Sequence, residues 1–353
     1  VGSEMCIRDR TMIYREIKDS SHEHLKEHSF ECICYIAVAA IIEGAESWYD
    51  VSDFGKCHED FFRSRIPGFK SVPSHDTFNR FFSLLSPHEF EKVFSLLIRE
   101  IRGKYNGLVA IDGKENCDVK KENGDCSFEH LRLLSAWASA NGVCIGQEKV
   151  NGKSNEIKAI PMLIKMLDLE DCILTIDTRA CQHDIVHEIL EAKADYLISV
   201  KQNQKRLYKI IEGWFSEIDI YGNRIIGRGH IPEGRYRYSI TEEQGSEMKE
   251  KRICQVYNNG ILPEVLKWEG ANSVVCLTSS KIDKETEETV SEKRYYITSL
   301  PLDSDHIMDT LRSHWSIENN QHWQLDVTFN EDRQKKKENA AQNFSLLSKI
   351  ALT

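Results

Sequence analysis

The chain has 353 residues, 41% hydrophobic and 29% charged, enough to bury a sizeable core and to build two domains or one domain with a large insertion. Its net charge of −10 excludes a uniformly basic protein, so any contact with nucleic acid must follow local clusters of Lys and Arg. The longest apolar stretch, Cys32 to Ile42, falls short of the roughly 20 residues a membrane-spanning helix needs.

The eleven cysteines form no CxxC pair or regular framework, and no secretory pattern opens the chain. A reduced cytoplasmic protein with no membrane segment is expected. Cys117, Cys126 and His130 match no common zinc spacing and lack a fourth ligand, so no zinc is assigned. The first ten residues, Val1 to Arg10, resemble translated adapter sequence and carry no structural weight. The last six, Ser348 to Thr353, stop inside an apolar helical pattern without a stop signal, so a longer natural C-terminus is expected.

A small all-α domain is predicted over residues 20–102. Its signals are the apolar run 32–42, a break at Gly44, a segment through Trp48, Tyr49 and Asp50, and Ser74 standing just before Phe78, Phe81 and Phe82. A further helix starts near Ser86-Pro87 and carries Phe90, Val93, Phe94 and Leu97 on one face, as core residues. Gly103 to Gly107 reads as a linker.

The period then changes, and a second domain is predicted over 105–353. Strands are expected at 107–112, 131–139 and 143–150, the last two joined by the turn sequence Ala140-Asn141-Gly142. A helix at 155–167, a strand at 172–177, a helix at 182–193 and a strand at 195–200 follow. The order β-β-β-α-β-α-β resembles a ribonuclease-H-like α/β fold with a mixed sheet, in which the first and fourth strands are neighbours. Residues 207–300 give a weaker, mostly β signal, with short runs at 235–240, 252–257, 273–278 and 293–298. They are read as a β-rich insertion that forms an extra sheet.

Two apolar runs, Leu108 to Ile111 and Cys172 to Ile176, each end in an aspartate, Asp112 and Asp177. An acid at that place either caps the next turn or stands at the rim of a sheet, where open α/β folds put their chemistry, and its oxygens suit magnesium or manganese. Downstream, Asp303 offers a cap for a helix running to about Gln324, on which His314, Glu318 and His322 recur every four residues. That stripe is either a set of mutual pairs on an exposed face or part of the same site. Lys201 to Lys209 and Arg333 to Lys337 are local basic clusters, each a solvated face or part of a path for DNA.

In this order, Ile111-Asp112-Gly113-Lys114, Lys153-Ser154-Asn155-Glu156-Ile157, Thr175-Ile176-Asp177, Ala194-Asp195-Tyr196, Lys201-Gln202-Asn203-Gln204, Tyr295 to Leu300, and His314-Trp315-Ser316-Ile317-Glu318-Asn319 with His322 to Asp326 form a specific signature. The chain thereby resembles the DDE transposases of bacterial insertion sequences, in the ISAs-type or H-repeat-associated branch. The resemblance covers nearly all of it, including the helical segment that precedes the catalytic core in that branch.

The resemblance implies that Asp112, Asp177 and Glu318 are a catalytic, metal-binding triad. It implies two Mg2+ ions, with Mn2+ as a substitute, about 3.5 to 4 Å apart, which activate water or a DNA 3′-hydroxyl for in-line attack at phosphorus. Lys114, Lys153, Lys201, Asn203, Gln204, Arg312 and His314 are the expected DNA contacts, because basic and amide side chains position the backbone without reading sequence. The implied partner is double-stranded DNA, both the element's terminal inverted repeats and the target, with a homodimer in the synaptic complex and a nucleoid-associated place in a bacterial cytoplasm. Leu311, His314 and Leu325 stand where related transposases carry Tyr, Arg and Lys. A catalytically inactive or domesticated DNA-binding relative is the alternative reading.

Overall fold

Three serines set the first helices. Ser29, Ser47 and Ser74 each accept a hydrogen bond from a backbone N–H in the following turn, meeting donors that have no partner inside the helix, and they open α1 (Phe30–Ile42), α2 (Trp48–Cys57) and α4 (His75–Leu84). Between them lies α3 (Glu59–Arg65), and α5 (Pro87–Arg102) begins with the proline expected at its first position. The computed structural model describes residues 27–105, 107–120, 128–150, 156–177, 180–221, 234–245, 248–258, 262–284, 286, 288–333, 336 and 339–353. Cys126 and Lys153 lie outside them.

The chain divides into two compact units. The first gathers the residues up to Tyr105, Gly113–Asn155 and Ile317–Thr353. Its core is aromatic: Trp48 stacks on Phe82 at 4.8 Å and meets Phe344 edge-on at 5.1 Å. Phe344 belongs to α11 (Asn339–Leu352), which packs on α1 and α4, while Asn343 donates to the carbonyls of Phe82 and Leu85 at the end of α4. Gly55 permits close approach here, since a Cβ would stand 2.6 Å from Val72 Cγ1. The unit also holds the hairpin of β2 (Phe128–Ala138) and β3 (Val143–Val150), whose turn places Gly142 at φ +64° as the Asn-Gly signal predicts.

The second unit comprises Asn106–Asp112 and Glu156–Ser316. Strand β1 (Gly107–Lys120) pairs in parallel with β4 (Cys172–Ile176), which pairs in parallel with β5 (Asp195–Val200). Helices α6 (Glu156–Met166) and α7 (His183–Glu191) make the connections. Strand order β3-β2-β1-β4-β5 is the ribonuclease-H-like arrangement the sequence pattern resembles, with first and fourth strands adjacent.

Residues 207–300 correct two expectations. Their first part is not β but α8 (Lys205–Tyr221), whose buried Leu207, Ile211, Phe215 and Ile218 keep the helical period. The strands β6 (Tyr236–Gln244), β7 (Met248–Asn258), β8 (Ser273–Asp283) and β9 (Thr289–Thr298) do not form an extra sheet. Antiparallel β9 joins β5, and the meander β9-β8-β7-β6 extends the same sheet. The unpaired edge of β5 accounts for this, because its N–H and C=O groups take up the incoming strand. Among the described residues no helix is long and apolar enough to cross a membrane.

Candidate active site

Asp112 and Asp177 stand side by side in the second unit. The last register pair between β1 and β4 is Ile111 with Ile176, so the next residue of each chain segment is an aspartate. Asp112 is not at a strand end as expected: β1 continues to Lys120 while β4 stops at Ile176. The acid lies where β1 runs on past the end of its parallel neighbour. Asp112 is half-buried and Asp177 exposed.

The same face of β4 carries Ile173, Thr175 and Asp177, because side chains alternate along a strand. Against this face packs α9 (Ser304–His314), opened by Asp303, whose side chain accepts from the N–H groups of Asp305 and His306. Ile307, Met308 and Leu311 of α9 pack into a core with Leu197, Cys254, Val256, Val275, Leu277 and Tyr296, and Ile173 and Trp315 pack against it. Thr175 Oγ1 and His314 Nδ1 share a hydrogen bond of 2.7 Å. Burial holds the His314 pKa below the usual imidazole range, with Asp177 opposing and Arg294 adding to the shift. His314 is therefore anchored one residue pair below Asp177.

Lys201, just past β5, places Nζ 3.8 Å from Asp177 Oδ1. In the turn that follows, Asn203 is exposed, and Gln204 donates to the Cys181 carbonyl at 2.8 Å. Arg312 is exposed on α9 and ion-paired with Glu243 of β6. These residues share the second unit with the two aspartates.

Glu318 and Lys114 belong to the first unit. Helix α9 ends at His314, and Glu318–His322 form a π turn before α10 (Trp323–Val327). Its i→i+5 bonding breaks the four-residue spacing, so His314, Glu318 and His322 do not lie on one continuous α-helix as expected. Glu318 is exposed. Burial lowers the His322 pKa to about 4, with Lys349 and Lys114 adding to the effect. Lys114 is half-buried among acids. It bonds Asp326, reaches Glu331 Oε2 at 3.0 Å and lies 3.6 Å from Asp332 Oδ1. Burial pulls its pKa down, but Glu331 and Asp326 outweigh that and hold it above the ordinary lysine range.

Sequence reading passed over Arg252, Arg294, Asp326 and Glu331. Both guanidinium carbons, of Arg252 and Arg294, lie 5.6 Å from the centroid of the Trp315 ring. Strand alternation would have put Arg294 on the face of Tyr296 and Arg252 on that of Cys254, but not beside a tryptophan some twenty residues beyond Arg294 (~20).

Among the described residues no group of three or more His, Cys, Asp and Glu side chains is gathered into a ready metal site. The aspartate pair still fits a hard divalent cation: it offers carboxylate oxygens from adjacent strands, one half-buried and one exposed.

A family described as "Transposase DDE domain" matches residues 108–353, and a second, described as "DDE_Tnp_1-associated", matches 12–98. The chain is 34% identical over 334 residues to the Escherichia coli (strain K12) protein YbfL, covering 92% of this chain and 84% of that one. It is 33% identical over 335 residues, with the same coverage, to the "H repeat-associated putative transposase YhhI" of that strain. A shorter stretch, 53 residues at 38% identity, is similar to the "Inactive transposase YbfQ" of the same strain and covers 15% of this chain and 63% of that one.

Proposed function

Because the chain belongs to the DDE transposase family, we propose that it cuts and joins DNA at the ends of its own insertion sequence, with Asp112, Asp177 and Glu318 holding two divalent metal ions. The observation that carries this reading is the register that sets Asp112 beside Asp177 on adjacent parallel strands. Carboxylates on adjacent strands are the hard oxygen ligands that Mg2+ or Mn2+ takes. Bound Mg2+ or Mn2+ would supply a nucleophile at neutral pH and stabilise the leaving oxygen.

The residues of the chain do the rest. Lys201, Asn203, Gln204, Arg312 and His314 position the phosphate backbone near the aspartates, with His314 held by Thr175. Lys114, engaged by Asp326, Glu331 and Asp332, reaches DNA only by leaving those acids. Lys153 supplies a further backbone contact. The substrate is double-stranded DNA, as terminal inverted repeats and as target, and two copies of the chain act on paired ends at the nucleoid of the bacterial cytoplasm.

Nicking of a duplex that carries the element's end should require Mg2+ or Mn2+ and be lost in Asp112→Asn, Asp177→Asn and Glu318→Gln. Mn2+ should also raise the melting temperature of the wild type and not of Asp112→Asn. Full cleavage by any one variant would remove that residue from the triad. The alternative, a DNA-binding relative without catalysis, draws on Leu311, His314 and Leu325 standing in place of Tyr, Arg and Lys. Specific end binding with no cleavage in either metal would establish it.

A further inference from the structure

One face of the sheet in the second unit carries a row of charge that begins at the aspartates. Pairing of β5 with β9 ends at Val200 with Tyr295, so Lys201 and Arg294 are the next residues across that pair. Arg294 pairs with Leu277 of β8, which pairs with Cys254 of β7, and Arg252 follows two residues from Cys254 on the same face. Asp177, Lys201, Arg294 and Arg252 therefore share the face on which α9 and Trp315 pack.

The two arginines differ in access. The Arg252 side chain is only 9% exposed and is tied to Glu243 at 3.1 Å and Glu250 at 2.7 Å. Arg294 is 38% exposed, and its Nε and Nη2 donate to the two oxygens of Glu292, each at 3.0 Å. That fork is the geometry in which a guanidinium grips a phosphate. Glu292 is itself 61% exposed, two residues away on the same strand, so it can swing into solvent at small cost.

We propose that Arg294 is a DNA-backbone contact of this site, set beside the Trp315 ring in line with Lys201, and that Glu292 occupies its guanidinium as a phosphate stand-in until DNA displaces it. Arg252 is the buried support that holds Trp315 in place. The indole serves as the platform for Arg294 rather than for a base. The inference rests on the transposase reading and adds to it a named contact and an internal competitor for DNA.

The test is binding of the full chain to a mixed-sequence DNA duplex in EDTA, over a range of salt concentrations. Arg294→Ala should weaken binding and reduce the slope of log affinity against log salt by about one. Glu292→Gln should tighten binding severalfold, and that gain should vanish in the Arg294→Ala background. Arg294→Lys should restore the slope but not the full affinity, since lysine cannot make the fork. With a packing role for Arg294 any gain in Glu292→Gln would persist in the Arg294→Ala background, and if Arg294→Ala fails to fold, a smaller gain from Glu292→Gln in the Arg294→Lys background carries the test. Unchanged affinity and slope in Arg294→Ala, or no gain in Glu292→Gln, would overturn the assignment while leaving the transposase reading intact. A wild type that binds no duplex at any salt would overturn both.

Discussion

Lys114 and Lys201 look alike in sequence, each a lysine just beyond a strand residue of the resemblance motifs, yet their surroundings differ sharply. In the first unit Lys114 is 11% exposed and closed in by Asp326, Glu331 and Asp332. In the second unit Lys201 is 60% exposed, with its Nζ 3.8 Å from Asp177 Oδ1. A positive charge engaged by several carboxylates, one of them buried, holds protein together, and one left at the surface is available to a polyanion. The contrast shows that motif membership does not assign a lysine its role; burial and partners do.

The sharpest way to break the comparison is Lys114→Met. Glu331, 3% exposed, would lose its cation, and the loss of one partner from a buried pair costs about 3 to 5 kcal/mol. Urea unfolding should show a drop of that order; a drop near zero would mean the cluster is solvated and the two lysines are equivalent.

The next effect also belongs to the first unit. Glu91 of α5 is 2% exposed, and its carboxylate accepts from the backbone N–H of Gln147 at 2.6 Å. Burial pushes its pKa up to about 8, against the opposing pull of that hydrogen bond and of Lys349, while Glu148 adds to the rise. The folded state keeps a proton that the unfolded chain releases above the ordinary carboxylate value of 4.5. The contribution of Glu91 to stability should therefore be fully present at or below that value and fall, by roughly a few kcal/mol, as pH rises to about 8. Glu91→Gln should flatten this slope in urea titrations at several pH values, and an unchanged slope would assign the effect elsewhere.

Thr175→Val tests the site between these extremes. It keeps the shape of the side chain but removes the hydroxyl bonded to His314 Nδ1, at a cost of about 1 to 3 kcal/mol in stability. Thermal melting gives the size, and a shift in the His314 titration followed by NMR would show that the anchor was lost. Lys201→Ala should be the smallest, within about 0.5 kcal/mol of wild type in stability. Its effect should appear in DNA affinity and salt dependence, and a large loss of stability would erase the contrast with Lys114.

Much of the fold was legible because its signals are local. Ser74 caps α4, Asp303 caps α9, Pro87 opens α5 and Gly142 turns the β2–β3 hairpin, each through contacts within a few residues. The apolar runs ending at Ile111 and Ile176 marked the two strands that carry the aspartates, and their adjacency followed from strand order. Three features were hidden. The helix Lys205–Tyr221 lay under a weak signal, the strands after it were read as a separate sheet, and the π turn at Glu318 broke a stripe that sequence spacing made continuous. A π turn and a sheet edge have no residue-type signature of their own.

What the sequence determined by itself was the capped helices, the strands with a clear apolar pattern, their order and the two strands bearing Asp112 and Asp177, since caps, turns and hydrophobic period act over a few residues. Only the tertiary structure decided that Asp112 lies inside a long strand, that β9 extends the sheet beside β5, that Lys114 is closed in by acids, and that Arg294 meets Trp315. Those outcomes depend on partners far along the chain. The free energy of a charge is set by its solvent and its neighbours, and folding chooses both.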